Sequence, residues 1–424
     1  MDLLLYVLRS LSYVIVEPSL ILMLILVGVF FYFKNRKIAI LQKVTIGEKI
    51  NSPLELTLSQ IVLGILLGII GSVILSTLGI VFEEDSGIIY LLLLSIFLMF
   101  IKPRFVCFSY SAAILGAISL IITFVMGYLG KENIYLNINI MCLMTFVSVM
   151  HILEGILVMI DGDKGAIPIF SSRKNKIIGG FALSRYWVLP IAIFIAYSLQ
   201  SGDSFGTESI LTPTWWPLLK SNYIMNIING FLLSATPFFG VLGYSSVTFT
   251  KRKKEKAVSS GLYIITFGII LGVIAQLANF GTIGEIVVLI FAPVAHEFML
   301  YIQRKKEEKS EAIYVSDENG IAILDVVPYS EIESFGVKSG DKIVKVNDGI
   351  VNSEKEIYEL VKKSLNGIKL QILTIDGEIK EIILKDTKKN GLRALLVPRS
   401  VNTNKAVPFK EESFSEVLHK MNKN

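Results

Sequence analysis

Gly336-Val337-Lys338-Ser339-Gly340-Asp341-Lys342-Ile343-Val344-Lys345-Val346-Asn347 is the stretch whose reading decides the C-terminal quarter of this chain. Its glycines permit backbone conformations that other residues avoid, so Gly340-Asp341 reads as a turn. Lys342–Asn347 then reads as a strand, closed by a second turn at Asp348-Gly349. Working outward, Ala312–Val315 and Gly320–Val327 read as earlier strands. Ser353–Ser364 reads as a helix with Ser353 as N-cap and Glu356 three residues on, the spacing of a capping box. Lys369–Ile375 and Glu378–Leu384 flank Asp376-Gly377, a hairpin signal. Asn390–Pro398 closes a small α/β domain over residues 312–398. The tail, 399–424, is polar, with Phe414, Val417, Leu418 and Met421 spaced for one face of a short helix.

Ahead of this domain the chemistry changes. The chain of 424 residues is 53% hydrophobic and only 18% charged, and the charge is concentrated after residue 302. Residues 1–302 contain repeated apolar runs of the length a bilayer requires, about 20 residues each. They read as a polytopic helical membrane domain, followed by a charged linker at 303–311 that can continue the last helix. Leu3–Val16 is interrupted by Arg9, Ser10 and Ser12 and reads as an interfacial helix. Glu17-Pro18 separates it from a first span at Ser19–Phe33. Further spans are expected at Leu58–Val81, Gly87–Ile101, Phe105–Tyr128, Leu136–Ile160, Tyr186–Leu199, Tyr223–Phe249, Val258–Phe280 and Ile283–Ile302, about nine in all. The third and sixth are short.

Charge gives a direction. The loops Lys34–Lys49, Lys102–Arg104, Lys164–Arg185, Lys251–Lys256 and Arg304–Lys309 hold 21 Lys and Arg, whereas the alternate segments hold only Arg9, Lys131 and Lys220. The positive-inside rule then expects the N-terminus outside and the C-terminal domain in the cytoplasm of a cell-membrane protein. The net charge of +5 is thereby a topology signal, and no nucleic-acid footprint is expected. Trp215-Trp216 reads as an interfacial anchor in an outer segment, Gln200–Asn222. No cleavable leader is expected at the N-terminus. Cys107 and Cys142 both fall in apolar runs and fit neither a disulfide framework nor a Cys-x-x-Cys metal pair.

The C-terminal segment resembles bacterial PDZ domains. The resemblance is carried by Gly320-Ile321-Ala322-Ile323, Val327-Pro328, the Gly336–Asn347 run and Thr374-Ile375-Asp376-Gly377; Ser339 stands where proline is more usual. It implies a groove between a strand and a helix, where a partner's C-terminus or extended segment adds to the strand edge. Gly320 suits a loop that a carboxylate approaches. Gly320, Ile321, Ala322 and Ile323 on the strand, with Ile357, Leu360 and Val361 on the helix, are the expected groove residues. Their alternative reading is ordinary core.

Ionisable residues within spans are costly. His151 and Glu154 share a helix face, and His296-Glu297 lies at comparable depth on the last span. The expectation is a buried polar staple between helices. An intramembrane metalloprotease needs His-Glu-x-x-His, but Leu300 stands where the second histidine belongs. No catalytic residue, cofactor or metal site is expected. The alternatives kept open are a PDZ-regulated intramembrane protease and a transporter with an appended sensor domain.

Many spans followed by one cytoplasmic PDZ-like domain resemble the MinJ family of Gram-positive bacteria. Glu55–Gly64, Phe291-Ala292-Pro293-Val294-Ala295-His296-Glu297 and the Gly-Leu-x-x-x-Leu-Val-Pro end, Gly391–Pro398, look similar to that family too. The resemblance implies a non-enzymatic scaffold in division-site placement, enriched at septum or poles. Such a scaffold links the coiled-coil protein DivIVA to the membrane ATPase MinD, which restrains FtsZ ring assembly.

Overall fold

The structure is a computed structural model and describes residues 2–48, 50–101, 103–130, 136–173, 176–198, 213–364, 367–385, 391–399 and 407–408. The tail-helix residues Phe414, Val417, Leu418 and Met421, most of the expected outer segment before Pro213, and Lys49, Lys102, Lys131 and Lys174 of the charge count lie outside the described residues.

The chain begins with helices α1 (Asp2–Val16), α2 (Pro18–Ile46) and α3 (Pro53–Leu78), a short strand β1 (Val81–Glu83), and then α4 (Tyr90–Ile101), α5 (Phe108–Tyr128) and α6 (Ile140–Asp161). Strands β2 (Ile167–Arg173) and β3 (Lys176–Ser198), helix α7 (Asn222–Gly230) and strand β4 (Phe231–Thr248) follow. Helices α8 (Lys253–Ala275) and α9 (Thr282–Lys309) complete this part. Proline at the first position opens α2 and α3, where its lacking N–H costs nothing, and left-handed glycines Gly47 and Gly79 end them. Asn139 caps α6 by accepting the Cys142 N–H at 2.9 Å.

Six helices are long and apolar enough to cross a bilayer: α2, α3, α5, α6, α8 with its 3-10 continuation to Phe280, and α9. The chain is a multi-pass membrane protein. These six correspond to the expected first, second, fourth, fifth, eighth and ninth spans. The expected third span is α4, whose 12 residues reach about 18 Å, short of a hydrocarbon core.

The expected sixth and seventh spans are corrected: Tyr186–Leu199 belongs to β3 wherever it is described, and Phe231–Thr248 of Tyr223–Phe249 is β4. Their apolar runs carry β-branched and aromatic residues, and a helix through either would bury a proline in its interior, at Pro190 or Pro237. The two strands pair antiparallel over Phe181–Ser198 and Phe231–Thr248. Trp187, Leu189 and Ile191 are buried in the same core as Phe146, Met150 and Leu153 of α6.

A strand buried among helices must have its free edge satisfied. β4 covers one edge of β3. On the other, β2 pairs with Lys176–Ala182 and β1 with Phe194–Ala196, leaving the middle unpaired by strands. Helix α3 fills that gap. A Cβ on Gly64 would collide with the Val188 carbonyl oxygen, and one on Gly68 with that of Pro190. One turn further, Ser72 Oγ accepts the Ala192 N–H at 2.8 Å. Four helical residues rise about 6.0 Å and two strand residues about 6.6 Å, so the stripe Gly64, Gly68, Ser72 keeps step with alternate strand residues. Pro190 has no N–H to leave stranded at this edge.

The C-terminal domain contains strand β5 (Ile321–Val326), short helix α10 (Glu331–Ser334), strands β6 (Lys342–Val346) and β7 (Gly349–Ile350), helix α11 (Glu354–Lys363), hairpin β8 (Ile368–Leu373) and β9 (Ile379–Leu384), and β10 (Ala394–Leu396). The sheet order is β10-β5-β6-β8-β9, with β7 beside β6. A last pair, β11 (Val407–Pro408), lies parallel to β2. Ser353 caps α11 by accepting the Glu356 N–H at 3.2 Å, but the Glu356 carboxylate returns to Asn352 N–H instead of Ser353, so the capping box is shifted by one residue. The strand expected at Ala312–Val315 is irregular chain that docks on the bundle: Gly179 N–H donates to Tyr314 O at 2.8 Å, and Ile313 N–H to Phe249 O at 3.1 Å.

The linker continues α9 to Lys309, as its charge run allowed. Glu307 on this extension accepts from Phe249 N–H at 2.8 Å and Thr250 N–H at 3.0 Å, and Lys256 approaches it at 3.4 Å. Leu324 and Val397 join the large core, and Lys253 pairs with Asp325 at 2.9 Å. The small domain is thus docked rather than tethered.

Gly68→Val is expected to lower the thermal midpoint of detergent-solubilised protein by an amount equivalent to ~1–3 kcal/mol of overpacking. Gly127→Ala, where a Cβ meets nothing within 4 Å, is expected to leave it unchanged.

Candidate functional site

Three sites merit construction from their residues: the expected peptide groove, the polar cluster between the helices, and an ion pair that sequence reasoning passed over.

The expected groove strand is enclosed. β5 pairs with β6 through Ile321 and Ala322, and with β10 through Ile323, Asp325 and Val326, so both its edges are taken. Ile321, Ala322 and Ile323 are fully buried. Gly320 is explained by packing: its φ is +146°, and a Cβ there would sit 2.7 Å from Ile343 O. Ile357 and Val361 face the domain core, and Leu360 packs against it half-buried. Of the seven residues expected to line a groove, Ile321, Ile323, Ile357 and Val361 build the domain core, Leu360 packs against it, Ala322 joins the large core, and Gly320 lies against the Ile343 carbonyl.

The sheet edge that faces α11 belongs to β10, the segment expected merely to close the domain. There the Tyr358 hydroxyl donates to Ala394 O at 3.1 Å and accepts the Leu396 N–H at 3.1 Å. Burial raises the Tyr358 phenol above its ordinary value. Beside this edge lies a cavity of about 520 Å³ lined by Thr45–Glu48 at the end of α2 and by Val327, Tyr358 and Gly391–Leu395. Arg393 takes a left-handed φ of +50° and reaches Glu48 at 2.8 Å. A side chain in that conformation is held there by its surroundings. An extended segment entering here would meet β10 main chain, one acidic and one basic group, and the tyrosine hydroxyl.

The polar cluster assembles, with additions. His151 on α6 and His296 on α9 come together with ring centroids 5.7 Å apart. Cys107, at the N-cap of α5, lies between them: Sγ is 3.0 Å from His151 Nε2 and 3.5 Å from His296 Nε2. Ser109 Oγ is 3.2 Å from His151 Nε2. Tyr110 donates its hydroxyl proton to Glu297 at 2.7 Å and stands 3.1 Å from His296 Nδ1. Glu154 approaches His151 at 4.0 Å, and Arg304 approaches Glu297 at 3.9 Å. Sequence reasoning missed Cys107, Ser109 and Tyr110, since 44 residues separate Cys107 from His151 and 189 separate it from His296. Among the described residues, Cys107, His151 and His296 are the group whose ligand atoms, all within 4.8 Å of one another, could hold a metal ion.

The third site is the pair Asp161–Arg185, both side chains fully buried. Asp161 Oδ2 accepts from Arg185 Nε at 2.8 Å and from Trp187 Nε1 at 2.9 Å, while Ser59 Oγ donates to Oδ1 at 3.2 Å. Arg185 also donates to Leu56 O at 3.2 Å. The pair ties the end of α6 to α3 and β3. Arg185 counted as a loop cation in the sequence. Its apolar neighbours on both sides were the signal that it is not.

Comparison with known proteins adds a distant likeness. The chain is 22% identical over 239 residues to the cell division topological determinant MinJ of Bacillus subtilis, a match covering 55% of each chain. It is 25% identical over 182 residues to a probable cell division topological determinant MinJ of Lacticaseibacillus paracasei, covering 39% of this chain and 47% of that one. It thus spans about half the length of the curated relatives it matches. No protein-family model and no solved structure matches it.

Removing one partner of a buried ion pair leaves an unmatched charge, so Asp161→Asn is expected to cost ~3–5 kcal/mol, read as a lowered thermal midpoint. The double variant Asp161→Leu, Arg185→Leu should be less damaging than either single change, which a double-mutant cycle measures.

Proposed function

We propose that this protein is a non-enzymatic membrane scaffold in division-site placement, holding partner proteins against the membrane through a PDZ-like C-terminal domain. The distant similarity to MinJ proteins carries this reading. The arrangement of many membrane helices with one docked sheet domain is compatible with it.

The proposed groove is the edge of β10 and the cavity beside it, in place of the β5 edge. Its ligand is an extended segment or C-terminus of a partner. DivIVA-like and MinD-like division proteins are the proposed partners. The proposed topology places the N-terminus outside and the C-terminal domain in the cytoplasm, supported by a distribution of basic residues that is 20 to three once the buried Arg185 is set aside. In it the chain passes nine times through the depth of the bundle: six long helices, the short α4, and the strands β3 and β4.

Two measurements test this. A C-terminal fluorescent fusion is expected to concentrate at septum and poles; uniform membrane signal with normal septum placement after deletion of the gene would sink the role. For the groove, Tyr358→Phe frees Ala394 O and Leu396 N–H, so capture of partners by the tagged full chain should strengthen severalfold, on the order of one hydrogen bond, ~1 kcal/mol. Thr45→Trp, which fills the cavity, should abolish capture. Identical capture by both variants and the wild type would refute the groove.

A further inference from the structure

We infer that Cys107, His151 and His296 bind a single d10 metal ion, Zn²⁺ or Cu⁺, within the helix bundle. The inference rests on where the protons must sit. His151 Nδ1 lies 2.8 Å from Val147 O, which can only accept, so Nδ1 carries the proton and Nε2 presents a lone pair. Tyr110 gives its proton to Glu297, so its oxygen accepts from His296 Nδ1, and His296 Nε2 also presents a lone pair. Both lone pairs point at one sulfur, and a thiol has one proton to share between them.

The distances suit a metal. Bonds of about 2.0 Å to nitrogen and 2.3 Å to sulfur at a tetrahedral angle put sulfur and nitrogen about 3.5 Å apart. The observed separations are 3.0 and 3.5 Å. The imidazoles are held as metal-bound histidines generally are, one by a backbone carbonyl and one by a tyrosine–carboxylate pair. Phe267 packs edge-on against both rings, at 4.9 and 5.4 Å, which fixes their planes. One thiolate and two imidazoles select a soft or borderline ion and reject Mg²⁺ and Ca²⁺, which need oxygen.

Binding replaces the Cys107 S–H bond with a sulfur–metal bond and releases one proton to solvent. The ion clamps three elements, fixing the break before α5 to the middles of α6 and α9. The competing arrangement contains only protons, with Cys107 S–H serving one imidazole and Ser109 O–H serving His151.

The test is metal content and loading of the purified full chain in detergent. The wild type is expected to retain one zinc or copper per chain, and after chelation to bind added Zn²⁺ or Cu⁺ stoichiometrically. Loading with Co²⁺ should produce thiolate-to-metal charge-transfer absorption. Cys107→Ser and His296→Asn should each weaken binding roughly tenfold or more, and Cys142→Ser should not. Should Cys107→Ser fail to fold, the Cys142→Ser protein alone decides, since added Zn²⁺ should then slow maleimide labelling of Cys107. No retained metal, no charge-transfer band and metal-independent labelling would together overturn the site and leave the proton-only network.

Discussion

A peptide edge buried among helices has to be hydrogen-bonded or closely covered, and in this protein the edge of β3 imposes that demand on everything around it. β4 meets it on one side. On the other, α3 has to lie close enough for Gly64 and Gly68 to touch strand carbonyls and for Ser72 to take up the Ala192 N–H. That contact fixes the depth and rotation of α3. The Asp161–Arg185 pair then fastens one end of the assembly, and β1 pairing with Phe194–Ala196 the other. Neither fastening works without the strand held in place between them.

Helix α6 packs against both α3 and β3. Most of its apolar stretch is buried inside the protein, unlike that of the other long helices. A helix apolar all round and covered all round tolerates few polar groups, and each one it has is matched. His151 meets the Cys107 cluster, Ser148 donates to Gly268 O at 2.8 Å, and Asp161 receives the arginine. The small residues Gly155, Gly261 and Gly268 let α6 and α8 approach backbone to backbone.

Much of this was legible in the sequence. Six of the long helices, the hairpin around Asp376-Gly377 and the cap at Ser353 announce themselves through apolar length, turn chemistry and spacing. The strands β3 and β4 did not: β3 is buried on both faces and so loses its period-two alternation, and β4, half-buried along most of its length, is an equally continuous apolar run that shares its composition with a membrane helix. Pro190 and Pro237 were the available signals against helix. That Gly320–Ile323 sits inside the sheet, with both edges of its strand paired, is a matter of strand order that no local pattern encodes. Cys107 was invisible as a partner of the histidines because only the tertiary fold removes the sequence distance between them.

The ion pair between Glu48 and Arg393 has a further consequence. It sets the β10 edge beside the end of α2, about 18 Å along the helix axis from Lys34. Under the proposed function, a partner already joined to this protein by another contact would present its segment to that edge on a short tether, not by free diffusion. Short flexible tethers confine a segment at effective concentrations in the millimolar range. An interaction too weak to detect between separated pieces would then be nearly saturated while that other contact holds, and would switch off when it breaks.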